Sequence, residues 1–325
     1  MRKKSYETES TKTESMKILP REEKPIKIMS LKIKPKKKRS FILLNIIIIS
    51  LFASIALYPV LLVFTNSFMT SYEIIHNYLI TQEFRASDIN LYQAFVKLEL
   101  IPNKVTIRQY SGLLIDTPIY LKLFWNSVKL TLPVTVGQVV VSSLAAFSFV
   151  RSKWRFKEFL FAIYIIIMLM PQQVTLVPNF ITARMLHIEK SYLAIILPGI
   201  FSPFGVFILR QFMKTIPSSY FEAAEIDGAN NWDLYAWIVL PMVKPALMSL
   251  SILIFIEYWN VVDQAIIFIN EAFRQPLSVF LADMPGSNAG FIFAASAFYM
   301  LFPLLVYMNG FDYLAQGIQN SGLKE

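Results

Sequence analysis

The chain alternates long charge-free apolar runs with short polar connections. The first run extends from Phe41 to about Phe64; others cover Leu130–Val150, Phe159 to about Val177, Ser191–Leu209 and Ile292–Phe311. A sixth, Pro245 to about Val262, is interrupted by one acid, Glu257. A helix needs about 20 mostly apolar residues to cross the hydrocarbon of a bilayer, and each run reaches or approaches that length. The core helices of a large soluble protein are usually shorter and amphipathic, so the pattern predicts an all-α polytopic membrane protein with six transmembrane helices.

The most structured polar connection lies between the fourth and fifth runs. Pro217 precedes Ser218 and Ser219, and Ser219 with Glu222 three positions on predicts a capping box that starts a short helix at Tyr220. Gly228 predicts its stop, because glycine enters the left-handed conformation at a helix C-terminus at little cost. Asn230 can then cap a second helix through Trp232, Tyr235 and Val239, closed by Leu240-Pro241. The expected product is a helix–turn–helix that exposes Tyr220, Phe221, Ala224, Trp232 and Tyr235. An exposed surface of that kind calls for a partner.

Charge orients the runs. Residues 1–40 hold 14 Lys or Arg against 5 Asp or Glu, an excess equal to the whole chain's net charge of +9. The connection Arg151-Ser152-Lys153-Trp154-Arg155-Phe156-Lys157 adds four bases and no acid. The positive-inside rule puts both on the cytoplasmic side. With six spans both termini are then cytoplasmic, 66–123 is extracytoplasmic, and the Glu222 loop is cytoplasmic. The domain plan is therefore a basic tail (1–40), a first transmembrane helix (41–65), an extracytoplasmic segment (66–123), a five-helix core (124–311) containing the loop 213–241, and a cytoplasmic C-terminal tail (312–325). The basic run before the first span reads as an uncleaved anchor rather than a signal peptide. Its Lys, Glu, Ser and Thr content offers no core, so it reads first as a solvated, disordered topology signal; a binding partner beside the membrane would be lipid headgroups rather than nucleic acid.

Composition narrows the chemistry. The 325 residues are 55% apolar and only 16% charged, too little polar surface for a soluble globule. Cysteine is absent, which excludes disulfides and thiolate chemistry. His76 and His187 stand apart, with no zinc-ligand spacing around them. None of the ten glycines is followed by Lys, so the phosphate-binding loop signature is missing and this chain cannot by itself be an ATPase.

Residues Glu222-Ala223-Ala224, Gly228, Ile238 and Leu240-Pro241 fill every fixed position of a spacing that resembles the coupling loop of membrane subunits of binding-protein-dependent ABC importers. From Asn126 to about Leu281 the chain is similar to the maltose-type carbohydrate permeases. The similarity takes in Asn126-Ser127, Leu144-Ala145-Ala146-Phe147-Ser148-Phe149, Met170-Pro171, Val174-Thr175-Leu176-Val177-Pro178, Leu197-Pro198-Gly199, Phe207-Ile208-Leu209-Arg210-Gln211-Phe212 and Trp259-Asn260. The long basic tail and the segment 66–123 depart from the family pattern. The resemblance implies the type I ABC importer transmembrane architecture. It also implies a second homologous permease subunit, two ATP-binding subunits that hold ATP and Mg, an extracytoplasmic solute-binding protein, and a carbohydrate of oligosaccharide size for substrate. It assigns ATPase docking to Tyr220, Phe221, Glu222, Ala223, Ala224, Gly228, Trp232 and Tyr235, with no cofactor held by this chain.

Polar groups inside a membrane are costly and tend to face a protein interior or an aqueous path. Glu257, Tyr258, Trp259 and Asn260, with Asp263 and Gln264 one turn on, are therefore candidates to line a sugar pathway; Gln138, Gln172 and Gln173 are weaker ones. Two other roles stay open here: Asn260 as a tie between helices and Trp259 as an interfacial anchor. Two alternatives also remain, an importer of glycerol phosphate or a polyol derivative, and an ion-driven secondary transporter. Against the second, no internal repeat is evident and Glu257 is the one acid well inside a span.

Overall fold

The computed structural model describes residues 36–79, 99–116, 118–283 and 291–322. Most of the basic tail (1–35), the middle of the 66–123 segment (80–98) and the last three residues lie outside the described residues. Regular structure among the described residues is helical, with one antiparallel bridge between Met69 and Val105.

We number the helices α1 (Lys36–Asn66), α2 (Ser71–Ile74), α3 (Arg108–Ser111), α4 (Pro118–Arg151), α5 (Lys157–Met168), α6 (Gln172–Met185), α7 (Leu193–Ile200), α8 (Pro203–Met213), α9 (Ser218–Ile226), α10 (Asn231–Met242), α11 (Lys244–Trp259), α12 (Asp263–Phe268), α13 (Leu277–Ala282) and α14 (Ile292–Gly322). Four stretches are long and apolar enough to cross a bilayer: Ile42–Asn66, Pro118–Arg151, Leu193–Met213 and Ile292–Ala315. Two bent pairs, α5 with α6 and α10 with α11, raise the number to six if each pair is one span.

The chain falls into two compact units, residues 1–54 and 55–325. In the first, the described side chains from Ile42 to Ser54 are all exposed, although most are aliphatic. The second contains the main core. Its centre is α4 and α11, where Leu130, Val134, Ala146, Leu250, Ile254 and Tyr258 share one buried cluster with Leu209 and Met213 of α8.

Proline shapes the departures from the expected helices. Pro171 has no amide hydrogen and disfavours helical backbone at Met170. The third apolar run is consequently two legs, α5 and α6, bent by 101° rather than one straight span. Pro203 opens α8 after a break at Phe201 and Ser202, as suits a first helical position. The second span begins at Pro118, well before the expected Leu130. At the other end, α14 runs on through residues 312–322.

Close approach requires glycine where α7 meets α4 and α11. A Cβ on Gly199 would lie 2.7 Å from the Tyr258 hydroxyl oxygen and 2.9 Å from Val134 Cγ1. Further along, buried Arg210 of α8 reaches α5: its Nη2 donates to Glu158 Oε1 and Oε2 at 2.6 and 2.8 Å, and its guanidinium lies 3.7 Å from the Phe161 ring centroid. A charge-assisted fork beside an aromatic face holds these two helices in register. In the 66–123 segment, Glu73 Oε1 accepts from the Asn103 backbone and side-chain nitrogens at 2.7 and 2.8 Å, joining its two described parts.

Candidate functional site

The loop between the fourth and fifth spans forms as a helix–turn–helix. Pro217, extended at φ −61° and ψ 140°, precedes α9, which starts at Ser218. The expected capping box of Ser219 and Glu222 does not form, because Ser219 is already inside the helix and no side chain caps its start. The Glu222 carboxylate is therefore free of that local bond, exposed, and without a hydrogen bond or ion pair to any described residue.

At the other end of α9, Gly228 has φ +85°, and Ala229 N–H donates to the Ala224 carbonyl at 2.9 Å while Gly228 N–H donates to Glu225 at 3.1 Å. This is the paired bonding of a Schellman turn, which needs the left-handed residue that glycine supplies. Nothing lies within 4 Å of a Cβ added there, so the requirement is conformational and not steric. Asn230 then caps α10: its Oδ1 accepts from Trp232 and Asp233 N–H at 2.8 and 3.1 Å, and Asp233 Oδ2 accepts from Asn230 N–H at 3.0 Å. The loop's capping box thus sits one helix later than expected.

The loop has two faces. Glu222 and Ala223 are exposed, as are Tyr220 and Trp232 at 52% and 68%. Phe221 and Ala224 are half-buried against the main core, and Tyr235 is buried, which corrects the expectation that all three are exposed. The Tyr235 and Ser143 hydroxyls meet at 2.6 Å, and the Tyr235 ring lies 5.4 Å from that of Phe147. Arg151, the last residue of α4, forms an ion pair with Glu225 of α9 and donates from Nε to Asn231 Oδ1 of α10 at 3.4 Å. Arg151 therefore bridges both loop helices as well as adding to local positive charge. No sequence signal announces these pairings, since Ser143 and Tyr235, and Arg151, Glu225 and Asn231, meet only in the fold.

Helix α11 leaves this loop after a 75° bend at Val243 and runs 16 residues, about 24 Å at 1.5 Å per residue. Its far end breaks at Asn260. The Asn260 Nδ2 donates to the Ile256 carbonyl at 2.8 Å, and the Tyr299 hydroxyl of α14 donates towards the Trp259 carbonyl and Asn260 Oδ1 at 2.8 and 2.9 Å. Ser278 donates to the Val261 carbonyl. These ties hold the chain off the helical path until Asp263 starts α12.

A cavity of about 180 Å³ opens at this break, lined by Gln172, Glu257, Tyr258, Asn260, Val261, Val262, Asp263 and Gln264. Three of the four leading pathway candidates, Glu257, Tyr258 and Asn260, are thus brought together, and Asn260 is also a helix tie. Trp259 is not among them. It is 0% exposed, ringed by Phe124, Phe255, Tyr299 and Phe302 at centroid distances of 5.1–5.6 Å. It is neither an interfacial anchor nor a lining residue, because successive residues of a helix point about 100° apart and Trp259 falls on the side packed against α4 and α14. Of the weaker candidates Gln172 lines the cavity, whereas Gln138 is buried and Gln173 is exposed outside it. Among the described residues no group of three or more His, Asp and Glu is disposed to hold a metal ion.

Residues 138–320, more than half of the chain, match the family described as binding-protein-dependent transport system inner membrane component. A probable ABC transporter permease protein of Pyrococcus horikoshii is 34% identical over 59% of this chain and 72% of its own length. The arabinooligosaccharides transport system permease protein AraQ of Bacillus subtilis is 28% identical over 70% of this chain and 83% of its own. In fold, the chain is similar to a chain of a bacterial ABC transporter involved in the import of the acidic polysaccharide alginate. That likeness has a TM-score of 0.69 and 19% identity, over 86% of this chain and 98% of that one. With its apolar helices, its two-faced loop and a family match across both the loop and the cavity, the chain belongs to the binding-protein-dependent transport system inner membrane components, the multi-pass permease subunits of ABC importers.

Proposed function

We propose that this chain is the permease subunit of an ATP-driven carbohydrate importer that carries oligosaccharides, docks an ATP-binding subunit through its loop and lines part of the translocation path with the cavity beyond α11. One observation carries the reading: α11 has at one end a loop with a free outer face and an anchored inner face, and at the other a polar cavity. Similarity to a permease named for arabinooligosaccharide transport supports the substrate class.

The basic tail and the Arg151–Lys157 connection orient the loop and both termini to the cytoplasm. Tyr220, Glu222, Ala223 and Trp232 then face the ATP-binding subunit, while Phe221, Ala224 and Tyr235 pass its movement into the core. Two such ATP-binding subunits hold ATP and Mg, a second related permease completes the path, and an extracytoplasmic solute-binding protein delivers the sugar. ATP binding closes the ATP-binding pair and moves the loop; hydrolysis resets it. Each ligand biases the inward and outward states only by its difference in affinity for them.

The test is crosslinking together with uptake. In this cysteine-free chain, Ala223→Cys in the assembled complex should crosslink at short range to a cysteine in the ATP-binding subunit, and reconstituted vesicles should import oligosaccharide only with ATP. Glu222→Gln should weaken docking by about tenfold or more if the carboxylate meets a base, since a hydrogen bond to a charged group contributes about 1.5–3 kcal/mol. Uptake driven by an ion gradient without ATP would contradict the proposal.

A further inference from the structure

The carbohydrate class leaves the charge of the solute open, and the cavity beyond α11 carries information on that point. Two of its lining residues, Glu257 and Asp263, are acids; the other polar ones are Gln172, Tyr258, Asn260 and Gln264. Among the described residues, no lysine, arginine or histidine lines it. Arg274, the next base along the chain, is engaged elsewhere: its Nη1 lies 3.6 Å from Glu271 Oε2 and its guanidinium lies over the Tyr192 ring. Neither Glu257 nor Asp263 makes a side-chain hydrogen bond or ion pair with a described residue.

An ionised carboxylate only accepts hydrogen bonds. Facing a sugar, Glu257 and Asp263 can each accept hydrogen bonds from hydroxyl groups, and the amides of Gln172 and Gln264 can both donate and accept. Facing a uronate or a phosphate, the two acids, both exposed at the open cavity, meet like charge and repel it, the less so as salt rises. Among the described lining residues no cation offsets it.

Resting on the pathway assigned above, we infer that this cavity selects by charge, passing neutral oligosaccharides and opposing anionic ones such as uronate oligomers and phosphorylated polyols, with Glu257 and Asp263 as the specificity-determining residues. The property belongs to this chain's own lining and adds to whatever the solute-binding protein selects.

Thiol labelling reads that field directly. A single Gln172→Cys in the complete complex, reconstituted in vesicles, is reacted with two methanethiosulfonates of similar size, one trimethylammonium and one sulfonate. Each rate is divided by that for a small free thiol, and labelling is read from the mass of this chain. A cleft lined by one sign of charge raises the local concentration of counter-ions by a factor of about 10 to 1,000, so the cationic reagent should be favoured by at least about tenfold. Glu257→Gln with Asp263→Asn should bring the ratio to within about twofold of unity. Gln264→Cys serves as a second reporter if the first variant does not assemble. Equal rates, a preference for the anion, or a cationic preference that survives the double substitution would overturn the charge assignment while ATP-driven uptake stood. Failure of both cysteines to react in a complex that still imports neutral oligosaccharide would instead overturn the pathway assignment, and the charge inference with it.

Discussion

Two interruptions of helix flank α11, and they are made in different ways. At the loop, the chain turns because Gly228 adopts φ +85° and Asn230 with Asp233 caps the next helix, all within a few residues and with open space around the glycine. At the cavity, the break after Trp259 is held by partners distant in sequence: Tyr299 bonds to Trp259 and Asn260, and Ser278 to Val261. The turn of the loop is set by local signals, and its inner face is tied to α4 through Tyr235–Ser143 and Arg151–Glu225. The cavity is set by the surrounding bundle and changes only when the helices around it shift. This contrast suits the proposed docking element and the proposed substrate path.

The largest effect should follow from crowding the bundle at the cavity. Gly199→Val puts a side chain where a Cβ would already be 2.7 Å from the Tyr258 oxygen, an overpacking that costs about 1–3 kcal/mol. Uptake should fall severely while crosslinking from Ala223→Cys persists; loss of the crosslink instead would erase the distinction between the two regions. Gly228→Val should act in the opposite sense. Left-handed backbone costs a residue with a Cβ about 1–2 kcal/mol, so docking should weaken, whereas Gly228→Asn should largely spare it because asparagine tolerates that conformation. Equal loss in both variants, measured by copurification of the ATP-binding subunit, would contradict the conformational account.

A smaller effect is expected from Tyr235→Phe. It removes the 2.6 Å bond to Ser143, typically about 1 kcal/mol, and should loosen the loop's inner face, reducing uptake more than docking. Smallest should be Arg151→Ala. The Arg151–Glu225 pair is partly exposed on both sides, and exposed pairs contribute about 0–1 kcal/mol. Its effect on uptake should shrink as salt rises, and a large salt-independent loss would point to a role beyond bridging α9 and α10.

The same division explains what could be read from the sequence. Spans, polar loop, glycine turn and Asn230 cap depend on neighbours in the chain, so Gly228 and Asn230 stand as expected. The Ser219–Glu222 box was a fair local pattern, but Pro217 ends the preceding turn and starts α9 at Ser218, which leaves Glu222 without the capping role. The 101° bend at Pro171 shows the same limit: a charge-free run can be counted, while the direction taken after a proline depends on what packs beside it. Tyr235 and Trp259 point inward, against the expectation from sequence, for a related reason. Each has an aromatic ring that suits an exposed docking or stacking surface equally well, and only Ser143 and Phe147, or Phe124 and Phe302, decide that they point inward.

The central claim is that movement at the loop reaches the cavity through α11 and the core around it. The most direct measurement is the labelling rate of Gln172→Cys in the full complex, compared between the nucleotide-free and ATP-trapped states. We expect the rate to change severalfold between those states, and the change to vanish when Gly228→Val is added in complexes that remain assembled. A labelling rate indifferent to nucleotide in the unmodified loop, or one that still follows nucleotide after the turn is broken, would contradict the claim.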